Sequence, residues 1–139
     1  MAPKRILLAE DDADDQMLFS DFLFHRSDIL LMPIAENGAA LFDSLENIAD
    51  PGDLPDIIIL DQNMPKKNGV QTLQLLKASD RYAHIPVMIY STYADQHLIN
   101  ACLQMGASVI RSKPVTKEGY DEMMDVFLNG SDLVQTATN

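Results

Sequence analysis

Ile57-Ile58-Ile59-Leu60-Asp61 is the stretch that decides the fold of this chain. Four consecutive aliphatic residues leave no polar alternate to face water, so a strand built from them is covered on both sides, as in a parallel sheet layered with helices. The turn cluster Asp50-Pro51-Gly52-Asp53 precedes it. Moving outward, Val87-Met88-Ile89-Tyr90 is a second run of the same kind. Ile6-Leu7-Leu8-Ala9 is a third and runs straight into acids, while Ile29–Ala35 and Ser108–Ser112 are weaker strand candidates. Between these runs the apolar residues recur at helical spacing. Leu18, Phe19, Phe22 and Leu23 mark one helix, and Leu41, Phe42, Leu45 and Ile48 a second. Val70, Leu73 and Leu76 mark a third, and Leu98, Cys102 and Met105 a fourth, with Gly106 placed as a C-cap glycine. Tyr120, Met123, Met124, Phe127 and Leu128 stripe the fifth.

Strands alternating with helices predict an α/β domain with a parallel sheet between two helical layers. Pro33 has no N–H for a ladder, which places its strand at an edge. Ser108–Ser112 is polar at both ends and suits the other edge. The flavodoxin-like (βα)5 fold, a doubly wound parallel sheet in strand order 2-1-3-4-5, satisfies both constraints. One domain over residues 1–128 and a polar tail over 129–139 are expected, without repeat or linker.

The 139 residues are 47% apolar and 22% charged, which excludes disordered and low-complexity classes. No apolar run approaches the ~20 residues of a membrane span, and the N-terminus lacks the pattern of a signal peptide. One cysteine, Cys102, excludes an internal disulfide and a cysteine-based zinc site, and it lies on a core stripe. A cytoplasmic location is expected. The net charge is −11, and five acids crowd into Glu10-Asp11-Asp12-Ala13-Asp14-Asp15. The rest of the chain is acidic as well, so neither nucleic acid nor a membrane is an expected partner.

In an open parallel sheet the functional crevice lies at the carboxyl ends of the strands, beside the switch in strand order. The first strand ends in Glu10-Asp11-Asp12, the third in Asp61, the fourth in Ser91-Thr92 and the fifth in Lys113-Pro114. Asp11 and Asp61 should converge, because their strands are neighbours. Clustered carboxylates repel unless a cation or proton sits among them, and Mg2+, with few protein ligands and hard oxygen donors, suits such a site. Lys113 adds a positive charge and Ser91 a hydroxyl. Together they form a phosphoryl-handling site with Asp61 as the candidate nucleophile.

These four segments in order, with Leu60-Asp61-Gln62-Asn63-Met64-Pro65 and Gly69 beyond it, resemble the receiver domain of two-component response regulators across residues 5 to about 128. The stretch from Asn63 to Gly69 is similar to the small single-domain receivers that serve phytochrome-type kinases. The resemblance implies that Asp61 accepts a phosphoryl group from a phosphohistidine on a sensor histidine kinase or a phosphotransfer protein. It implies Mg2+ ligation by Asp11, Asp61 and the backbone carbonyl of Asn63, with Glu10 assisting through a water. Ser91 and Lys113 would bind phosphoryl oxygens. A downstream protein target or a phosphorylation-dependent homodimer would carry the output, with no enzymatic activity beyond self-phosphorylation and self-dephosphorylation at Asp61. In many receivers the Lys113–Pro114 bond would be cis. An aromatic usually stands where this chain has Ile110, so the switch is expected to use Ser91 and Tyr93 instead, with the Tyr93 ring shielding the acyl phosphate.

Plainer readings stand beside these. Asp14 and Asp15 fit a helix start, where acids complement the macrodipole, and Asp12 suits either the pocket wall or an N-cap. Ser91 and Thr92 could cap the helix that carries Leu98. His25, His84 and His97 are not at ligand spacing, and Lys66-Lys67 reads as solvated loop. A receiver-like interaction module that takes no phosphate is the alternative function. A haloacid-dehalogenase-type phosphatase would need an acid where Asn63 stands.

Overall fold

The structure, a computed structural model, describes residues 2–64 and 67–129. Five strands pair in parallel in the order β2-β1-β3-β4-β5. They are β1 (Lys4–Ala9), β2 (Ile29–Leu31), β3 (Ile57–Asp61), β4 (Val87–Ser91) and β5 (Val109–Ser112). The helices between and after them are α1 (Ala13–Leu23), α2 (Gly38–Glu46), α3 (Gly69–Lys77), α4 (Gln96–Gln104) and α5 (Lys117–Asn129). This is the expected flavodoxin-like architecture. The switch in strand order falls between β1 and β3, which places the ends of these two strands side by side: Ala9 pairs with Leu60.

Every residue of β3 and β4 is buried, as their unbroken apolar runs require. Side chains alternate between the two faces. On one face Leu7, Ile58, Leu60, Val87, Ile89 and Ile110 pack against Leu41 and Leu45 of α2, Leu73 and Leu76 of α3, and Ile99 and Cys102 of α4. On the other, Ile6, Leu8, Ile57, Ile59, Met88, Tyr90 and Val109 meet Phe19 and Leu23 of α1 and Tyr120, Met123, Met124 and Phe127 of α5. Cys102 belongs to the core, and burial raises its thiol to about 11, so it is inert as a nucleophile.

β2 is shorter than the expected Ile29–Ala35. It ends at Leu31, before Pro33, which cannot donate to a ladder. The chain nevertheless stays alongside β1, with Met32 N donating to Ile6 O, Ala35 N to Leu8 O and Glu10 N to Ala35 O. β5 starts at Val109, one residue late. No described peptide bond is cis, so the Lys113–Pro114 bond, whose isomer the sequence leaves open, is trans. Gly106 has φ +106° after α4, the left-handed cap expected of it. α5 reaches Asn129, and residues 130–139 of the expected tail lie outside the described residues.

Arg26 ties the end of α1 to α5. Its guanidinium donates to Asp28 Oδ2 at 2.7 Å and to the Asp121 carbonyl at 3.1 Å, and it pairs with Asp125 at 2.8 Å.

Candidate functional site

The carboxyl end of the sheet gathers most of the polar residues that the core admits. Among the described residues, Glu10, Asp61 and Ser91 are three of the four buried polar or charged residues, the fourth being Thr72 of α3. Each finishes or immediately follows a run of buried, mostly aliphatic strand residues, so the strand fixes the backbone and the polar side chain emerges where the sheet ends.

Asp61 closes β3. Its Oδ1 accepts from Asn63 N at 3.2 Å and faces Lys113 Nζ at 3.2 Å. Its Oδ2 is buried with no hydrogen-bond partner among the described residues, an exception to the rule that buried polar atoms are satisfied. Burial, then the neighbouring Glu10 carboxylate, pushes the Asp61 carboxyl up to about 7, with Lys113 pulling the other way.

Glu10, Asp11 and Asp61 each bring one oxygen within 4.8 Å of the others. Three convergent carboxylates are a donor set suited to a hard divalent cation. Asp11 is the exposed member and opens the cluster to solvent. Asn63 is exposed in the loop after β3. Of the loop beyond it, Pro65 and Lys66 lie outside the described residues. Gly69 begins α3 against the start of this loop, where a Cβ would lie 2.9 Å from Asp61 O and 2.8 Å from Gln62 Oε1. Only glycine permits that approach.

Lys113 points inward on a trans backbone. Its ammonium lies 2.9 Å from Asp15, 3.1 Å from Glu10 and 3.2 Å from Asp61. Burial disfavours its charge, but Asp15, Glu10 and Asp61 outweigh burial and hold it above the ordinary lysine range. Lys113 N donates to Ser91 O at 2.8 Å, so the ends of β4 and β5 are joined through the two residues expected to contact a phosphoryl group. Ser91 Oγ accepts from Tyr93 N at 3.3 Å. The Tyr93 side chain is turned outward, with the residue 79% exposed, so it does not cover the site as the sequence reading expects.

Several plainer readings resolve. Asp12 is the N-cap of α1, its Oδ1 accepting from Asp14 N at 2.8 Å and Asp15 N at 3.1 Å. Asp14 is exposed at the helix start. Asp15 is more than a dipole charge, because it accepts from Lys113. Ser91 and Thr92 do not cap α4; Asp95 does, accepting from Leu98 N at 2.9 Å. His25 pairs with Asp121 at the α1–α5 seam.

Two residues escaped the sequence reading. Asp15 is one. The other is Tyr90, whose hydroxyl donates to Glu10 Oε1 at 2.6 Å from within the core. Its ring lies 5.1 Å under Lys113 Nζ and meets Phe19 edge-on at 6.2 Å. Burial and the Glu10 charge raise the Tyr90 phenol far above its ordinary value, so it is a permanent donor. A phenol at the last core position of a strand, beside acids, is the signal that could have found it, since a buried tyrosine hydroxyl needs a partner.

The residue profile of the response regulator receiver domain matches residues 6–125. This chain belongs to that family, whose members are the phosphoacceptors of two-component signalling. Receiver domains take phosphate from histidine kinases and act on downstream targets. Among curated relatives, a probable C4-dicarboxylate response regulator, DctR of Bacillus subtilis, is 29% identical over 123 residues, which are 88% of this chain and 51% of the relative. The chain spans about half or less of the length of that relative and of the methylesterase relatives that match next. Among solved structures, the Mn2+-bound form of response regulator Rcp1 superposes with a TM-score of 0.74 at 26% identity, covering 89% of this chain and 91% of Rcp1. The bacteriophytochrome response regulator AtBRR gives 0.73 at 25% identity, covering 90% and 92%. The likeness to small receivers of phytochrome systems thus extends from the 63–69 stretch to the whole fold. No helix among the described residues is long and apolar enough to cross a membrane.

Proposed function

We propose that this chain is a Mg2+-dependent phosphoacceptor switch that receives its phosphoryl group on Asp61 from a phosphohistidine of a sensor histidine kinase or phosphotransfer protein. The observation that carries this reading is the Asp61 carboxylate, buried at the carboxyl end of β3 with Oδ2 unpartnered and Lys113 on its other oxygen. Such an oxygen is free to attack. The Oδ2–P bond forms as the P–N bond breaks, and the imidazole nitrogen leaves with the bonding pair. Lys113 then has phosphoryl oxygens to contact, and the Ser91 hydroxyl offers a donor from the end of β4.

Asp11, Asp61 and the Asn63 carbonyl would hold Mg2+, with Glu10 assisting through water. When bound, the ion offsets the charge that gathers on the transferring phosphoryl group. Burial beside Glu10 makes the Asp61 carboxylate costly to ionise on its own, which favours taking up a cation.

The acyl phosphate biases a two-state equilibrium. Contact with Ser91 and Lys113 reaches both strand ends at once, because the two residues are already hydrogen-bonded through their backbones. A downstream protein, or a second copy of the chain, reads the change.

The test is incubation with a small-molecule phosphodonor with and without Mg2+, followed by intact-mass measurement. One phosphoryl adduct, present only with Mg2+ and lost in Asp61→Asn, is expected. No adduct in the wild-type chain, from either a small donor or a phosphorylated kinase, would favour the interaction module instead.

A further inference from the structure

The fully buried Glu10 carboxylate carries three donors. Asp12 N reaches Oε2 at 3.1 Å, and Lys113 Nζ and the Tyr90 hydroxyl both reach Oε1, at 3.1 Å and 2.6 Å. They are not equivalent. An ammonium has three N–H donors, and that of Lys113 already faces three carboxylates. Whatever Lys113 gives to a phosphoryl group it withdraws from one of these. Glu10 is also one methylene longer than aspartate and has an extra rotor to hold.

Tyr90 supplies what Lys113 cannot. Its ring is fully buried in β4, fixed edge-on by Phe19 and capped by the lysine. Its hydroxyl therefore sits at a fixed point beneath the acids. We infer that Tyr90 is a positioning residue for the metal site, its hydroxyl holding Glu10 in place toward Asp11 and Asp61 both before and after Lys113 turns to the phosphoryl group. The inference rests on the phosphoacceptor reading and deepens it. Tyr90 touches neither metal nor phosphate and acts only through Glu10.

The experiment measures Mg2+ dissociation constants by calorimetry on the full chain, for wild type, Tyr90→Phe, Glu10→Gln and the double variant. Tyr90→Phe keeps the ring and removes only the hydroxyl. About ten-fold weaker Mg2+ binding is expected, the low end of what loss of a partner behind a metal ligand costs. In the Glu10→Gln background the same change should add less than about two-fold, because the hydroxyl then has no carboxylate to position. Unchanged affinity in Tyr90→Phe, or an equal loss in both backgrounds, would overturn the inference and leave the hydroxyl a packing detail. Absence of Mg2+ binding by the wild-type chain is a different result, which removes the metal reading and this inference with it. Should Tyr90→Phe not fold, nuclear magnetic resonance of the wild-type Tyr90 hydroxyl proton decides. It is expected to stay protected from exchange when Mg2+ and then beryllofluoride, a phosphoryl mimic, are added. Its loss on beryllofluoride addition would mean that Tyr90 releases Glu10, and would overturn the inference.

Discussion

The two faces of the sheet do different work. The face under α2, α3 and α4 is largely aliphatic, with Tyr82 its buried ring. The face under α1 and α5 is rich in aromatic and methionine side chains, and several of those rings run toward the charged end of the sheet. Phe19 meets Tyr90 at 6.2 Å and Tyr120 at 6.0 Å, both edge-on. Tyr90 holds Glu10, and α1 itself supplies Asp15 to Lys113. The buried Tyr120 hydroxyl has no partner among the described residues. One layer therefore stabilises, and the other stabilises while also setting the geometry of the acids.

The largest effects are expected at the site that both layers border. Asp61→Asn should abolish acyl-phosphate formation and leave the fold intact, as intact mass and circular dichroism would report. A stable phosphorylated product in that variant would place the nucleophile elsewhere. Asp11→Ala should lose most Mg2+ binding and Asp14→Ala little, measured by calorimetry. Equal losses would mean a diffuse acidic field in place of a coordination site. Asp15→Ala should instead alter the phosphorylation rate by releasing Lys113, with smaller change in metal affinity.

The layers themselves can then be separated. Leu73→Ala in α3 should cost about 2–5 kcal/mol of stability and leave the phosphorylation rate of the folded protein unchanged. Phe19→Leu in α1 should cost less stability, yet slow phosphorylation, because it frees the Tyr90 ring. Chemical denaturation and a phosphorylation time course on the same samples would show whether the effects divide this way.

A smaller effect concerns pH in the metal-free protein. The folded-state value of about 7 for Asp61 lies above the ~3.9 of an unfolded aspartate. Between these values the unfolded chain loses a proton that the folded chain keeps. Stability contributed by this group is therefore complete below the lower value and falls as pH rises through about 7. Asp61→Asn should raise the midpoint of thermal unfolding by on the order of 5 °C at pH 8, with the gain vanishing near pH 4. A pH-independent gain would assign it to packing. The smallest change is expected at Tyr93. With the ring in solvent, Tyr93→Ala should speed acyl-phosphate decay by no more than about two-fold, since shielding would require the ring to swing in from its exposed position.

The sheet was legible because β3 and β4 contain nothing but apolar residues before their ends, and because Pro33 could stand only at a margin. The acids, Ser91 and Lys113 were legible as strand-end residues at the switch in strand order. Asp15 was not, because four acids at a helix start look alike until α1 is laid beside the end of β5. Tyr90 was not, because alternation along β4 tells which face it occupies but not that it reaches past β3 to an acid following β1. The capping of α4 by Asp95 was hidden by two earlier hydroxyl residues of equal propensity.

The pairing of α1 with α5 has a consequence for a chain emerging from the ribosome. α2, α3 and α4 can each cover their face of the sheet soon after their strands are made. Ile6, Leu8, Phe19 and Leu23 must wait until residues 117–129 have been synthesised. Through that interval the nascent protein carries an open apolar flank, the kind of surface on which aggregation starts and chaperones act. The aromatic layer that aligns the acids is completed last, so a nascent chain halted before α5 would already hold Asp61 at the end of its strand and still lack the support that sets its neighbours.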